Sequence, residues 1–261
     1  MLTRRARRRL YVIGTAALVG ASIPFWAPRL LASFPAFRVA RVEVVGTRYV
    51  APDEVVRLAG VSPEASVWDD PSEWERRVES HPMITEARVH RVGARGLEIR
   101  VVEEKPVALA ATPLLVPVNS EGRVLPLDPA TSALDLPVLE GHAGVRDGWL
   151  SEESYRALAR LLGRLAVYRP AFVQKISEVK SVEGGAAEIR LMESSVVGRI
   201  LLPLDEPVRA LRRVELALGE ARDRKALAAD ARFAEQVVLR FREARRVGPV
   251  AAAAEGREGG R

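Results

Sequence analysis

The chain has 261 residues, 48% hydrophobic and 28% charged, a balance that builds a buried core and excludes a wholly disordered chain. With no cysteine, disulfides, thiolate metal sites, iron–sulfur clusters and a cysteine nucleophile are all excluded. The net charge of +6 rests on Arg4, Arg5, Arg7, Arg8 and Arg9, and the rest of the chain sums to about +1, which disfavours a nucleic-acid-binding body.

Residues 1–9 read as a basic cytoplasmic tail. Behind them, nineteen residues from Leu10 to Pro28 carry no charge. As a helix they would span roughly 28 Å, close to the hydrocarbon thickness of a bilayer. Tyr11 stands near one end, Phe25 and Trp26 near the other, and Arg29 is placed to snorkel. Residues 10–31 are therefore expected to form a single-pass transmembrane helix. The arginine asymmetry puts the N-terminus in the cytoplasm and the body after about Phe37 outside it. A cleaved signal peptide ending at Val19-Gly20-Ala21 competes with this reading, but bulky Ile23, Phe25 and Trp26 continue the apolar run past that point.

Next, Val39 to Val45 is β-branched and closed by Gly46, which predicts a strand. Pro52-Asp53-Glu54 opens a short helix that Gly60 ends. Asp70, followed by Pro71 and Glu73, is expected to cap a second helix whose Trp74 and Val78 share a face. Glu86 to Val92 alternates as a strand, residues 93–96 turn, and Leu97, Ile99 and Val101 line one face of another. The order is strand, helix, helix, strand, strand, within a unit of marginal size for its own core.

The region after Leu109 is less regular. Leu114–Val118 and Val124–Leu127 are expected to pair as a hairpin across the Asn119-Ser120-Glu121-Gly122 turn. Ser151 is expected to cap a helix carrying Tyr155, Leu158, Leu161, Leu162 and Leu165. Strand-like runs follow at Lys175–Val179, Ala186–Leu191 and Val196–Leu202, with Gly184-Gly185 turning between the first two. Asp205 is expected to cap a helix from Pro207 to Leu218, and Glu235–Phe241 is a final strand. After Val247 periodicity is lost, so residues 248–261 are expected to be a disordered tail.

Catalytic chemistry finds little material. His81, His90 and His142 lack metal-ligand spacing, so no metal or cofactor is expected. The acid pairs Asp69-Asp70, Glu103-Glu104 and Glu152-Glu153 raise glycan hydrolysis as an idea, but adjacent carboxylates more often cap helices or decorate strands. No nucleophile-elbow or phosphate-loop motif is present, and the arginines in 209–213 and 240–246 alternate with apolar or acidic residues as on solvated faces. No catalytic residue, small-molecule substrate or nucleic-acid partner is expected; the protein is not expected to be an enzyme.

One resemblance is specific. Phe37, Val39, Val42, Val44 and Gly46, the stretch "HPMITEARVHRVGARGLEIRVVEEKPVA", and Leu136-Pro137-Val138-Leu139-Glu140-Gly141 are together similar to the FtsQ/DivIB family of bacterial cell-division proteins. The resemblance implies an α+β chain. Its parts would be the N-terminal transmembrane helix, a small POTRA domain over 37–105 and a mixed β domain with flanking helices over 106–247. It also implies a non-enzymatic scaffold of the divisome at the septum of the inner membrane, embedded there and bound to FtsB- and FtsL-like single-pass proteins and other divisome components. The alternative is a POTRA-type chaperone for exported or outer-membrane proteins, which usually continues into a long β-barrel. By the resemblance, FtsB contacts fall on the terminal strand and just beyond, at Val237, Val238, Leu239, Arg240, Phe241, Glu243, Ala244 and Gly248. Pro249 stands where some members carry a tryptophan anchor.

Overall fold

The computed structural model describes residues 14–15, 17–18, 20–22, 26–192, 196–221 and 225–241. The N-terminal unit comprises β1 (Arg41–Val45), α1 (Pro52–Ala59), α2 (Ser72–Glu79), β2 (Ile84–Val92) and β3 (Gly96–Glu103). Its sheet runs β1-β3-β2, with β1 parallel and β2 antiparallel to the central β3. Both helices bury one stripe on one face of that sheet. Val55, Ala59, Trp74 and Val78 meet Val89, Leu97, Ile99 and Val101, all buried. The strand period of two and the helix spacing of four deliver these residues to a single layer. Gly46 turns the chain out of β1 at φ +93°, where a Cβ would collide with the carbonyl oxygen of Val101.

The second unit is built on one eight-stranded sheet. Its strands are β4 (Ala108–Ala111), β5 (Leu115–Val118), β6 (Val138–Leu139), β9 (Ile176–Val182), β10 (Ala186–Leu191), β11 (Val197–Pro203), β12 (Ala226–Asp230) and β13 (Val238–Phe241). They lie in the order β13-β12-β11-β10-β9-β6-β4-β5. A small hairpin, β7 (Val145–Arg146) with β8 (Trp149–Leu150), stands apart. Helices α3 (Glu153–Tyr168) and α5 (Pro207–Glu220) pack side by side on the sheet, and α4 (Pro170–Val173) is a single turn between α3 and β9. Leu158, Leu161, Leu162 and Leu165 of α3 and Ala210, Leu211 and Val214 of α5 are buried against Ile176, Val179, Ile189, Ile200 and Leu202. These helical stripes follow the predicted spacing.

The two units are locked by polar and apolar contacts. Where β3 ends, the Glu103 carboxylate accepts the backbone N–H groups of Arg48, Tyr49 and Val50 at 3.0, 2.9 and 2.9 Å. Glu104 points the other way, into the second unit. It accepts from the Arg123 guanidinium at 2.6 Å and from the Asn119 side-chain amide at 3.2 Å. Arg123 also donates to the Pro82 carbonyl at 2.9 Å. Leu125, two residues on, is buried in the core of the N-terminal unit.

Several expectations are corrected here. No described helix is long and apolar enough to cross a membrane, so the transmembrane helix over 10–31 is not found among the described residues. Among the described residues of that region, 26–32 are helical and include Pro28 and Arg29. Residues 10–13, 16, 19 and 23–25 lie outside the described residues. The expected hairpin of 114–118 with 124–127 is only partly formed. β5 pairs with β4 along its length, and its contact with the other arm is an antiparallel bridge of Val118 with Val124, the Leu125 N–H to Pro117 carbonyl bond at 2.8 Å and the Asn119 N–H to Arg123 carbonyl bond at 3.0 Å. The Leu125 side chain fills the neighbouring core. Asp70 does not occupy the capping position, which falls to Pro71, although its carboxylate accepts the Ser72 amide and hydroxyl at 3.0 and 2.7 Å. The Ser72 amide is the main reason the Asp70 carboxyl is held below the usual carboxylate range. Glu73 reaches Arg77 one turn on rather than back to a capping residue. Ser151 and Asp205 do not cap either: Glu152 and Glu206 stand at those positions without a side-chain cap bond.

Two substitutions test this packing. Leu125→Ala should destabilise the N-terminal unit by about 2–5 kcal/mol, as a buried leucine truncation does. Urea unfolding followed at Trp68 and Trp74 would read the loss in the unit to which Leu125 does not belong by sequence. Gly163 in α3 passes so close to the 119–122 turn that a Cβ would lie 2.5 Å from the Ser120 Cβ. Helix propensity alone predicts that Gly163→Ala stabilises by about 1 kcal/mol, but overpacking costs about 1–3 kcal/mol, so net destabilisation in the same urea titration is expected.

Candidate partner-binding edge

The sheet of the second unit ends at β13. Its neighbour β12 reaches the sheet by a crossover: β11 feeds α5, and β12 returns parallel to β11. Ala226, Ala228, Ala229 and Ala231 are all buried in or beside β12. Their small side chains let α5 lie close over the strand. β13 then turns back antiparallel to β12, with Phe241 opposite Ala226, Arg240 opposite Ala228, Leu239 opposite Ala229 and Val238 opposite Asp230. Among the described strands, none pairs with the other side of β13.

Two arginines order the connection into this strand. Asp230, at the end of β12, takes Arg232 in a two-pronged pair, Nε to Oδ1 at 2.9 Å and Nη2 to Oδ2 at 2.7 Å. From α5, the Arg213 guanidinium donates to the carbonyls of Ala231, Phe233 and Ala234 at 3.2, 2.9 and 2.6 Å. One side chain thereby fixes the path of four residues that precede the edge. The solvated face expected for arginines 209–213 does not hold for Arg213, whose Nε is buried. Guanidinium geometry suits this work, since its donors are rigidly forked.

The predicted contact residues are placed as follows. The strand is shorter than expected, four residues rather than seven, and Val237 lies just before it. Val237, Leu239 and Phe241 are half-buried against the core, whereas Val238 and Arg240 face solvent. Glu243, Ala244 and Gly248 lie outside the described residues, as do Pro249 and residues 248–261 as a whole. Sequence reasoning missed β12 and the role of Arg213. A pairing signal for β12 was available only in its position between two strand runs.

The candidates for chemistry are engaged elsewhere. Asp69 accepts the Ser66 amide at 2.8 Å, Glu152 accepts the Gly144 amide at 3.0 Å, and Glu153 pairs with Arg156 and Arg160. His81 lies 3.8 Å from Glu54, His90 is exposed on β2, and His142 lies in the loop after β6. Among the described residues, no three His, Asp or Glu side chains form a metal-sized group.

The fold is that of a POTRA-type unit coupled to a larger mixed β domain. The family description "POTRA domain, FtsQ-type" matches residues 37–104. Over 255 residues the chain is 30% identical to the cell division protein FtsQ of Rhodothermus marinus, covering 91% of this chain and 88% of that protein. It is 28% identical to the cell division protein FtsQ of Myxococcus fulvus over 198 residues, 69% of this chain and 67% of the relative. A third FtsQ, from Syntrophotalea carbinolica, is 28% identical over 133 residues, 49% of this chain and 47% of its own. The chain belongs to the FtsQ family of cell division proteins.

The Asp230 pair makes a pH prediction. Its hydrogen bonds from the Arg232 side chain hold the Asp230 carboxyl below its usual value. A carboxylate lowered on folding adds stability that is present at neutral pH and lost as pH falls through the lowered value. Arg232→Ala should return the Asp230 titration toward the ordinary value of about 3.9. Carboxyl-carbon NMR would follow it, and the variant's stability should depend less steeply on pH on the acid side.

Proposed function

We propose that this protein is a non-enzymatic scaffold of the division machinery, acting at the septum of the cell envelope, and that β13 receives a strand from a partner. The observation that carries the reading is the position of β13 as the last strand of an eight-stranded sheet. Such a strand presents backbone donors and acceptors to another chain, and strand addition draws its affinity from them. Family membership supports exported segments of FtsB- and FtsL-like proteins as the partners. In this reading Val237, Val238, Leu239, Arg240 and Phe241 form the contact, with Glu243, Ala244 and Gly248 continuing it. Outward Val238 and Arg240 read the partner's side chains, and Arg240 favours an acidic segment. Phe241 lines the seam between the added strand and the core.

Titration of the full chain with the FtsB and FtsL exported segments tests this. Phe241→Ala should weaken binding by about 2 kcal/mol if it is a hot spot. Prolines placed one at a time at Val238 and Leu239 separate pairing from folding. Alternate amides along a strand point to opposite edges, so the proline on the outward side should abolish binding with the fold retained. The proline on the inward side should disturb β12 pairing as well. Unchanged affinity in all three folded variants would remove β13 as the site. A fluorescent fusion of the chain that fails to concentrate at midcell would count against the scaffold reading itself.

A further inference from the structure

The other sheet of the molecule also has an edge, β2, and it is treated very differently. Ala87 and Val89 have buried side chains, and their backbone N–H groups bond to side chains of α2 rather than to β3. Those amides are not left for a partner. The Val89 N–H donates to Glu75 Oε1 at 2.9 Å and the Ala87 N–H to Glu79 Oε1 at 3.0 Å. The Ala87 carbonyl accepts from the Arg88 guanidinium at 2.9 Å, and Arg88 in turn lies 3.4 Å from Glu79. Glu75 and Glu79 are one turn apart on α2. That separation, about 6 Å along a helix, nearly matches the roughly 6.8 Å between alternate residues of a strand. The register with β3 also slips between Ile84 and Glu86, which bends the strand at its start.

We infer that Glu75 and Glu79 are guards of the β2 edge, holding the amide row that an added strand would use and keeping the POTRA-type unit closed to strand addition. The strand most ready to add there is β2 of a second copy of this chain. In an antiparallel self-pairing centred on Ala87, Arg88 of each copy stands opposite Glu86 of the other, so the exposed charges complement one another. Opposite charges directly across a strand pair stabilise it, and an uncovered edge of this kind is a template for association. The inference does not depend on β13, which lies in the other sheet.

The test uses the full chain as Glu75→Ala/Glu79→Ala, as Glu75→Gln/Glu79→Gln, and as the two single alanine variants. Glutamine keeps a side-chain oxygen that accepts the amide, and alanine does not. The double alanine variant should associate into dimers, by sedimentation velocity, at concentrations about tenfold or more below those at which the parent chain does. In dilute samples its Ala87 and Val89 amides should exchange about tenfold faster, while each single variant should release only its own amide. The double glutamine variant should remain close to the parent chain in both measurements. Sedimentation of the double alanine variant like the parent at every concentration would overturn the inference. So would unchanged exchange at Ala87 and Val89 in the single variants, or association of the glutamine variant equal to that of the alanine variant.

Discussion

Two neighbouring carboxylates divide the work of closing the structure: Glu103 ties the first unit to itself and Glu104 ties it to the second. They sit at the end of the central strand of the first sheet and face opposite ways. Glu103 gathers three backbone amides of the β1–α1 loop, which no helix or sheet would otherwise satisfy. Glu104 receives Arg123 and Asn119 from the second unit. Hydrogen bonds to an ionised acceptor are the stronger kind, and both partners of the Glu104–Arg123 pair are more than two-thirds covered. The Asn119 turn is held by the same contact. Its side-chain oxygen accepts the amides of Glu121 and Arg123, so the turn presents Arg123 to Glu104 and sends Leu125 across the boundary. The boundary expected from sequence at 105–106 falls between the two sheets, and Leu125 reaches back across it into the first core.

How much of this was legible depended on whether local pattern and tertiary need agreed. They agree in β3, where Leu97, Ile99 and Val101 alternate and are all buried, and in α3, where the leucines fall on one stripe. They disagree at Leu125, whose alternation with its neighbours fits a hairpin arm equally well. Only the vacancy in an adjacent core decides its place. β12 is hidden for another reason: alanine favours helix by intrinsic propensity, and its use in a strand makes sense only with α5 lying overhead. The helix starts were found to within two residues, but the capping side chains were misassigned. Asp70 bonds one residue too early, and the Ser151 amide is held by the Gly144 carbonyl. The uncharged stretch before Arg29 had the composition of a membrane span, yet no described helix is long and apolar enough to cross a membrane. At the candidate edge, the existence of a terminal strand was legible and its bracing was not. Arg213 looks like surface charge until three loop carbonyls are seen to converge on it.

The β2 and β13 edges illustrate opposite solutions to one problem. Along β2, side chains from a neighbouring helix occupy the backbone groups, and a register slip bends the strand's start. Along β13, the loop before the strand is braced by Arg213 and Asp230–Arg232 while Val238 and Arg240 face outward. Bracing the approach to an edge reduces the ordering that a partner would otherwise have to impose, which favours binding over self-closure. A strand can be tied at its ends and still be presented along its length.

The crossover from β11 through α5 to β12 also has a consequence for synthesis. A chain made from its N-terminus completes β9, β10 and β11 before β12, which covers the open side of β11, exists. At about 5–20 residues per second, the stretch from Pro203 to Asp230 takes roughly 1–5 seconds to emerge. During that interval β11 is an open rim on a nascent sheet, bearing Val197, Ile200 and Leu202. Arg199, charged and outward, interrupts the run at its middle, where a single charge most effectively discourages stacking with another nascent chain. A strand that ends up in the interior of the sheet thus carries the marks of having once been its border.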